Sequence, residues 1–174
     1  WMWREVEVDE SAVNEASAKA QLAIHQVIFG RPEGLGDEDP MAFEVEINEA
    51  LEDLEEVAYS DEALSGFFPC SMSSRTVVYK GRLNSGELVP YFKDLSDADH
   101  EISVFTFHTR FSTNTEPATF MAQPFRRLCH NGELNTDKKN RLSEDAIAKQ
   151  KNRKVIFPKG QSDSARLDQT LTRR

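Results

Sequence analysis

Four polar clusters fall on one stretch of this sequence, from His108 to Asp163 and just beyond, and they constrain the fold more than any apolar run does. The first is His108-Thr-Arg110-Phe-Ser112-Thr113-Asn114-Thr115, and the second is Ala122-Gln123-Pro124-Phe125-Arg126. His130-Asn131-Gly132-Glu133-Leu134-Asn135-Thr136 follows, and Gly160-Gln161-Ser162-Asp163-Ser164-Ala165 closes the set. Arg110 ends an apolar run, Asn131-Gly132 reads as a tight turn, and Asp163 stands at a helix start. A chain that uses these residues together has to bring a strand end, a turn and a helix N-terminus to one place. The remaining residues read as the sheet and helices that would position them.

Taken in order, residues 3–9 alternate apolar and charged and predict a short strand or extended segment. Asp9 and Ser11 are candidate caps for a helix over residues 12–20, and residues 22–29 read as a strand ended by Gly30. The Gly- and Pro-rich residues 30–40 predict a loop insertion. Phe43, Ile47, Leu51, Leu54 and Val57 recur at helical spacing, with an acidic opposite face that is either a partner surface or simply solvated. Strands are expected at 67–72, 75–80, 102–108, 125–130 and 155–157, from their β-branched and aromatic content and the breakers between them. A helical turn is expected within 88–95, packing Tyr91, Phe92 and Leu95. A further helix is expected with Ser143 as its cap, and another from Ser162-Asp163 through Leu167 and Leu171.

A chain of 174 residues with 39% hydrophobic and 29% charged residues is long and apolar enough to fold around a core. Its formal charge of −9 argues against a nucleic-acid phosphate binder. No apolar run approaches the roughly 18 residues of a membrane span, and the N-terminus has no signal-peptide core, so no membrane partner is expected. Cys70 and Cys129 have no metal-ligand spacing, which points away from a disulfide framework or metal site and toward a reducing cytoplasm.

The clusters could hold a small zwitterion that carries a carbonyl, for which free glutamine serves as the case to consider. An α-carboxylate is best met by the planar fork of an arginine, for which Arg110 is the candidate. An α-ammonium wants a carboxylate, supplied by Asp163. Attack on the side-chain amide builds an oxyanion that needs two preorganised donors, and the Asn131 side-chain NH2 with the Gly132 backbone N–H would provide them. Glycine there lets backbone approach substrate closely. Each residue also has an ordinary role: Asn-Gly as a hairpin turn, Ser162-Asp163 as a helix start, Arg110 as a surface arginine, and His108 and His130 as packed or hydrogen-bonded histidines. Cys129 beside His130 invites a Cys–His nucleophile, but neighbours on a strand point to opposite faces.

The string from Phe107 to Thr136 resembles the class II glutamine amidotransferase domain of the glutamate synthase large subunit. The family's His-x-Arg-[Phe/Tyr]-Ser-Thr-Asn-Thr, Ala-Gln-Pro-Phe-Arg and His-Asn-Gly-Glu-[Ile/Leu]-Asn-Thr stretches occur here in that order. Ser73-Ser-Arg-Thr-Val-Val-Tyr-Lys-Gly81 and Ser162-Asp-Ser-Ala-Arg-Leu-Asp168 are similar to further family segments, as is Trp3-Arg-Glu-Val-Glu-Val-Asp9 with Glu7 where proline is usual. The resemblance implies an α+β fold, a partial Ntn-hydrolase-like αββα sandwich. It implies that Arg110 binds the glutamine carboxylate with help from Thr113, that Asn131 and Gly132 form the oxyanion hole, and that Asp163 receives the α-amino group.

The family's nucleophile is an N-terminal cysteine whose own α-amine, with a pKa near ~7.7–8.0, serves as base. This sequence begins at Trp1, and neither internal cysteine matches that position. The expectation is therefore that residues 1–174 are part of one amidotransferase domain, with its first strands lying upstream and its last helix cut short, and inactive alone. In the parent protein the resemblance implies ammonia transfer to a synthase domain that makes glutamate from 2-oxoglutarate. That domain would use FMN and an iron–sulfur cluster, which no residues here would bind, with electrons from reduced nicotinamide or ferredoxin. The rival expectation is a non-catalytic module of the same fold that binds an amino acid or serves assembly.

Overall fold

The computed structural model describes residues 1–39, 41–111, 118–134 and 138–173. Within them the chain forms two units, residues 1–33 with 80–109 and residues 34–79 with 110–174.

In the first unit, β1 (Met2–Glu5) pairs antiparallel with β2 (His25–Ile28), Met2 opposite Ile28 and Glu5 opposite His25. Val6 continues the pairing by donating its N–H to the Ile24 carbonyl at 2.8 Å. Arg4 reaches Gln26 across the ladder and also binds Asp94, so its fork ties the hairpin to a distant turn. The helix expected over 12–20 is divided. Asp9 caps a 3-10 turn at Glu10–Ala12, and Asn14 caps α1 (Glu15–Ala20) through the Ser17 N–H at 2.9 Å. The expected turn in 88–95 is α3 (Leu88–Tyr91) followed by a 3-10 turn at Lys93–Ser96. Phe92, bridged to Val8 and edge-on to the Tyr91 ring, is fully buried, and Tyr91 and Val6 are buried too.

The second unit is helical: α2 (Ala42–Ser60), α4 (Lys138–Gln150) and α5 (Asp163–Thr172). The period of α2 is as expected, but its facing is rotated. It buries Ile47, Leu51 and Ala58 together with Glu44, Glu52 and Glu55, while Val57 is 62% exposed. The acidic face is thus only partly solvated. Arginines and hydroxyls draw its carboxylates inward: Arg126 and Arg173 to Glu55, Arg153 and Lys151 to Glu52, Ser73 and Ser74 to Glu44. Helix α4 begins earlier than expected, which places Ser143 inside it rather than at its cap. The next residue, Glu144, is buried and bound to Arg166, Arg173 and Thr170.

Glu55, Glu144 and Asp168 meet Arg126, Arg166 and Arg173, three carboxylates against three guanidiniums, all nearly buried. Burial disfavours the charge on Arg126, but Glu55 and Asp168 outweigh it and hold the guanidinium above its ordinary range. On Arg166 burial prevails and lowers the value, Glu144 offsetting only part; the same group lies 4.1 Å over the Phe157 ring. Gln169 joins the network by donating to Glu55 and to the Ile156 carbonyl.

Among the described residues the only strands are β1 and β2, so the five other expected strands are corrected. Side chains, not neighbouring strands, claim their backbone groups. In 67–80, Ser74 gives its N–H to Glu44 and Val78 gives its N–H to the Ser71 hydroxyl at 3.2 Å. At 155–157 the Ile156 carbonyl accepts from both Gln169 and Arg173. Residues 102–108 alternate as expected, yet both faces are open: Val104 is 83% and Phe107 60% exposed. An extended run becomes a strand only beside a hydrogen-bonding neighbour, and none of the described residues provides one there.

Candidate functional site

The Asn131-Gly132 turn ends a segment whose amide groups are taken one after another. Phe125 donates its N–H to the Leu128 carbonyl at 2.9 Å, Arg127 to Asp168 Oδ1 at 2.6 Å, and His130 to Gln123 Oε1 at 2.7 Å. Residues 125–130 are therefore a looped segment anchored to α5, not the strand their composition predicts. Ahead of α5, Gly160 at φ 79° redirects the chain toward Ser162, a conformation that favours glycine. The Ser162 Oγ then caps α5 by accepting the Ala165 N–H at 3.2 Å.

His130 joins these two pieces. Its Nε2 lies 2.7 Å from Ser164 Oγ, in the first turn of α5, and its Nδ1 accepts the Gly132 N–H at 3.3 Å. Since Nδ1 accepts, the neutral ring carries its proton on Nε2 and donates it to Ser164. One imidazole thus fastens the Asn131-Gly132 turn to the helix end that bears Asp163. Asn131 and Gly132 are exposed, and a Cβ added at Gly132 would meet nothing within 4 Å, so that side of the turn is open. Asp163 is also accessible, with its Oδ1 held by Arg141 at 2.6 Å. A cation thus already occupies this carboxylate.

Arg110 is exposed and takes no part in the His130–Ser164 link. Thr113 lies outside the described residues. Both ring nitrogens of His130 are engaged, by Gly132 and Ser164, so the ring is not poised to activate the exposed Cys129 thiol. Cys70 is half-buried. Among the described residues no group of three or more His, Cys, Asp or Glu side chains is arranged to hold a metal ion. No helix among them is long and apolar enough to cross a membrane.

The family model for class-II glutamine amidotransferases matches residues 1–172. The chain belongs to the class-II glutamine amidotransferases. It is similar to the glutamate synthase [NADPH] large chain of Azospirillum brasilense, 34% identical over 95% of this chain and 11% of that one. The glutamate synthase [NADH] of Saccharomyces cerevisiae is likewise 34% identical, over 97% of this chain and 8% of its own. The ferredoxin-dependent glutamate synthase of Antithamnion sp. is 40% identical over 77% of this chain and 9% of its own. The chain therefore spans about a tenth of the length of these relatives. No solved structure matches. The described helices and two-stranded sheet give this amidotransferase a mixed α and β architecture.

Residue chemistry alone picks out Asn131, Gly132, Arg110 and Asp163 in this amidotransferase, and leaves His130 among ordinary packed histidines. It also misses Ser164 and Arg141. His130 and Ser164 are 34 residues apart, so no local spacing signals their bond. The only hint is that His130 sits directly before Asn-Gly and Ser164 directly after Asp163.

Proposed function

We propose that this chain holds L-glutamine within a glutamine-hydrolysing domain of a glutamate synthase, and that the ammonia released there supplies glutamate synthesis in another domain of the same protein. The observation that carries this reading is the fastening of the Asn131-Gly132 turn to the Asp163 end of α5 through His130 and Ser164. It joins groups suited to opposite ends of one amino acid. Asp163 takes the α-ammonium, displacing Arg141, while Arg110 grips the α-carboxylate with Thr113 assisting. A thiolate adds to the side-chain carbonyl, and Asn131 and Gly132 donate to the resulting oxyanion. Collapse breaks the C–N bond and releases ammonia with a transferred proton. Water then cleaves the glutamyl thioester, giving glutamate and restoring the thiol.

The attacking thiol in this proposal is the family's N-terminal cysteine, and neither Cys70 nor Cys129 takes that role. Residues 1–174 are part of one domain, an αββα sandwich of the Ntn-hydrolase type, with residues 30–40 as a loop insertion. FMN and the iron–sulfur cluster belong to other domains, since two cysteines fall short of the roughly four thiolates a cluster takes. The accepting domain makes glutamate from 2-oxoglutarate, with reduced nicotinamide or ferredoxin as electron donor. Two cysteines without the spacing of a disulfide framework support a reducing, cytoplasmic setting.

The test is glutamine hydrolysis by the complete protein. Asn131→Ala is expected to lower kcat about 10²–10³-fold, the effect of losing one oxyanion donor, with the fold intact. Arg110→Lys is expected to raise KM for glutamine because the bidentate fork is lost. Unchanged turnover in the first variant removes Asn131 from the oxyanion hole. A glutamine-mimicking diazoketone should leave Cys70 and Cys129 unmodified by intact mass, and a stoichiometric adduct on either would show an internal nucleophile.

A further inference from the structure

We infer that His130 is a positioning residue that sets the distance between the oxyanion donors and the ammonium acceptor, and that through this distance the site selects glutamine over asparagine. The inference rests on the function proposed above. Glutamine and asparagine carry the same α-ammonium, α-carboxylate and amide. They differ by one methylene, which moves the amide carbonyl by about one C–C bond, ~1.5 Å, relative to the α-carbon. A site that tells them apart therefore has to fix the separation of the groups that bind the two ends.

The structure fixes it through one rigid ring. On the turn side, the His130 backbone N–H is pinned to Gln123 Oε1 at 2.7 Å, and Arg127 is pinned to Asp168 Oδ1 at 2.6 Å. On the helix side, the Ser162 cap fixes the first turn of α5. Between them stands the imidazole, with Nδ1 accepting from the Gly132 N–H and Nε2 donating to Ser164 Oγ. The two ring nitrogens are held at a constant separation by the aromatic ring, so the turn cannot slide toward the helix without breaking one bond. The Gly132 bond, 3.3 Å long, is the weaker of the two and yields readily to a charged oxyanion, whose bonds are shorter and stronger. The ring therefore presents the Gly132 donor in position and releases it when charge develops.

The experiment is calorimetric titration of the complete protein, with its nucleophilic cysteine replaced by serine so that bound ligand is not hydrolysed, with L-glutamine and with L-asparagine. Without further substitution this protein is expected to favour glutamine by at least roughly 10-fold, the lower end of what one methylene decides in a fitted pocket. Ser164→Ala and His130→Ala should bring the two affinities to within about 3-fold, mainly by weakening glutamine, since the ruler is lost while the end groups remain. His130→Gln, whose side-chain amide can donate to Ser164 as Nε2–H does, should restore most of the preference. His130→Asn, whose carbonyl can serve only Gly132, should not. A residue that merely supported the fold would weaken both ligands alike and show no such split between Gln and Asn. Ser164 lies outside the groups that touch substrate, so its variant remains informative if the histidine variants fold poorly.

Asp163→Asn separates the two levels of the argument. It should abolish binding of both amino acids. If it leaves glutamine affinity unchanged, or if the protein without further substitution does not bind glutamine, the function proposed above fails and this inference with it. If Asp163→Asn abolishes binding while Ser164→Ala keeps the original preference, the site stands and the role of His130 is overturned.

Discussion

The two ends of α5 are built on opposite principles. From Arg166 to Arg173 the chain is sunk among charges, with Asp168, Gln169 and Thr170 almost wholly buried and directed at partners on the 125–130 loop, α2 and α4. At its start, three to four residues away, Asp163 lies open to solvent and shares one hydrogen bond with an equally accessible arginine. Buried ion pairs offset a large desolvation cost only when every partner is present, whereas exposed pairs contribute little in either direction. One end is thus fixed, and in the function proposed above the other exchanges its cation for a ligand. A helix that must present a carboxylate accurately needs both.

The largest disturbance of this contrast is expected from Glu55→Ala. It strands Arg126, Arg173 and Gln169 with buried donors, and should cost about 3–5 kcal/mol in urea unfolding. A loss below about 1 kcal/mol would mean that the six charges do not act together.

Glu44 extends the contrast to α2. Burial pushes its carboxyl up, but the Ser74 hydroxyl, the Ser74 N–H and the Ser73 hydroxyl outweigh that, with Arg127 adding, and bring it below the ordinary value of 4.5. A lowered folded-state value contributes stability that is fully present above the unfolded value and is lost as pH falls through the folded one. Ser74→Ala should therefore cost about 1.5 kcal/mol at neutral pH, and the deficit should shrink as pH drops below about 4. A deficit independent of pH would place the effect in packing rather than in the charged hydrogen bond.

Ser162→Ala removes the cap at the open end and should cost about 1 kcal/mol, measurable as a lower thermal midpoint. The smallest effect belongs to Arg141→Ala, expected to change stability by no more than about 0.5 kcal/mol. The same variant should tighten glutamine binding, because the ammonium group no longer competes with a resident guanidinium. Weaker binding instead would make Arg141 part of the ligand site.

Much of this was legible in the sequence. The period of Phe43, Ile47 and Leu51 announced α2, the serine before Asp163 announced the start of α5, and Gly and Pro marked the loop described over residues 30–39. What escaped was long-range polar bonding. Glu44, Glu52 and Glu55 read as solvated because their arginines and serines come from distant parts of the chain, and these turned the helix so that acids face inward while Val57 faces out. The same cause undid the strand at 125–130, whose amides are claimed by Gln123 and Asp168. For the proposed site, residue chemistry suggests the end groups. It does not suggest the histidine, whose bond is to a serine 34 residues away.

The six buried charges of the second unit cancel, which leaves the formal charge of −9 entirely on the rest of the chain. Dissolved ions screen the excess of accessible carboxylates and scarcely reach the enclosed set. This protein should therefore hold its fold more firmly as ionic strength rises, although its core is assembled from ion pairs.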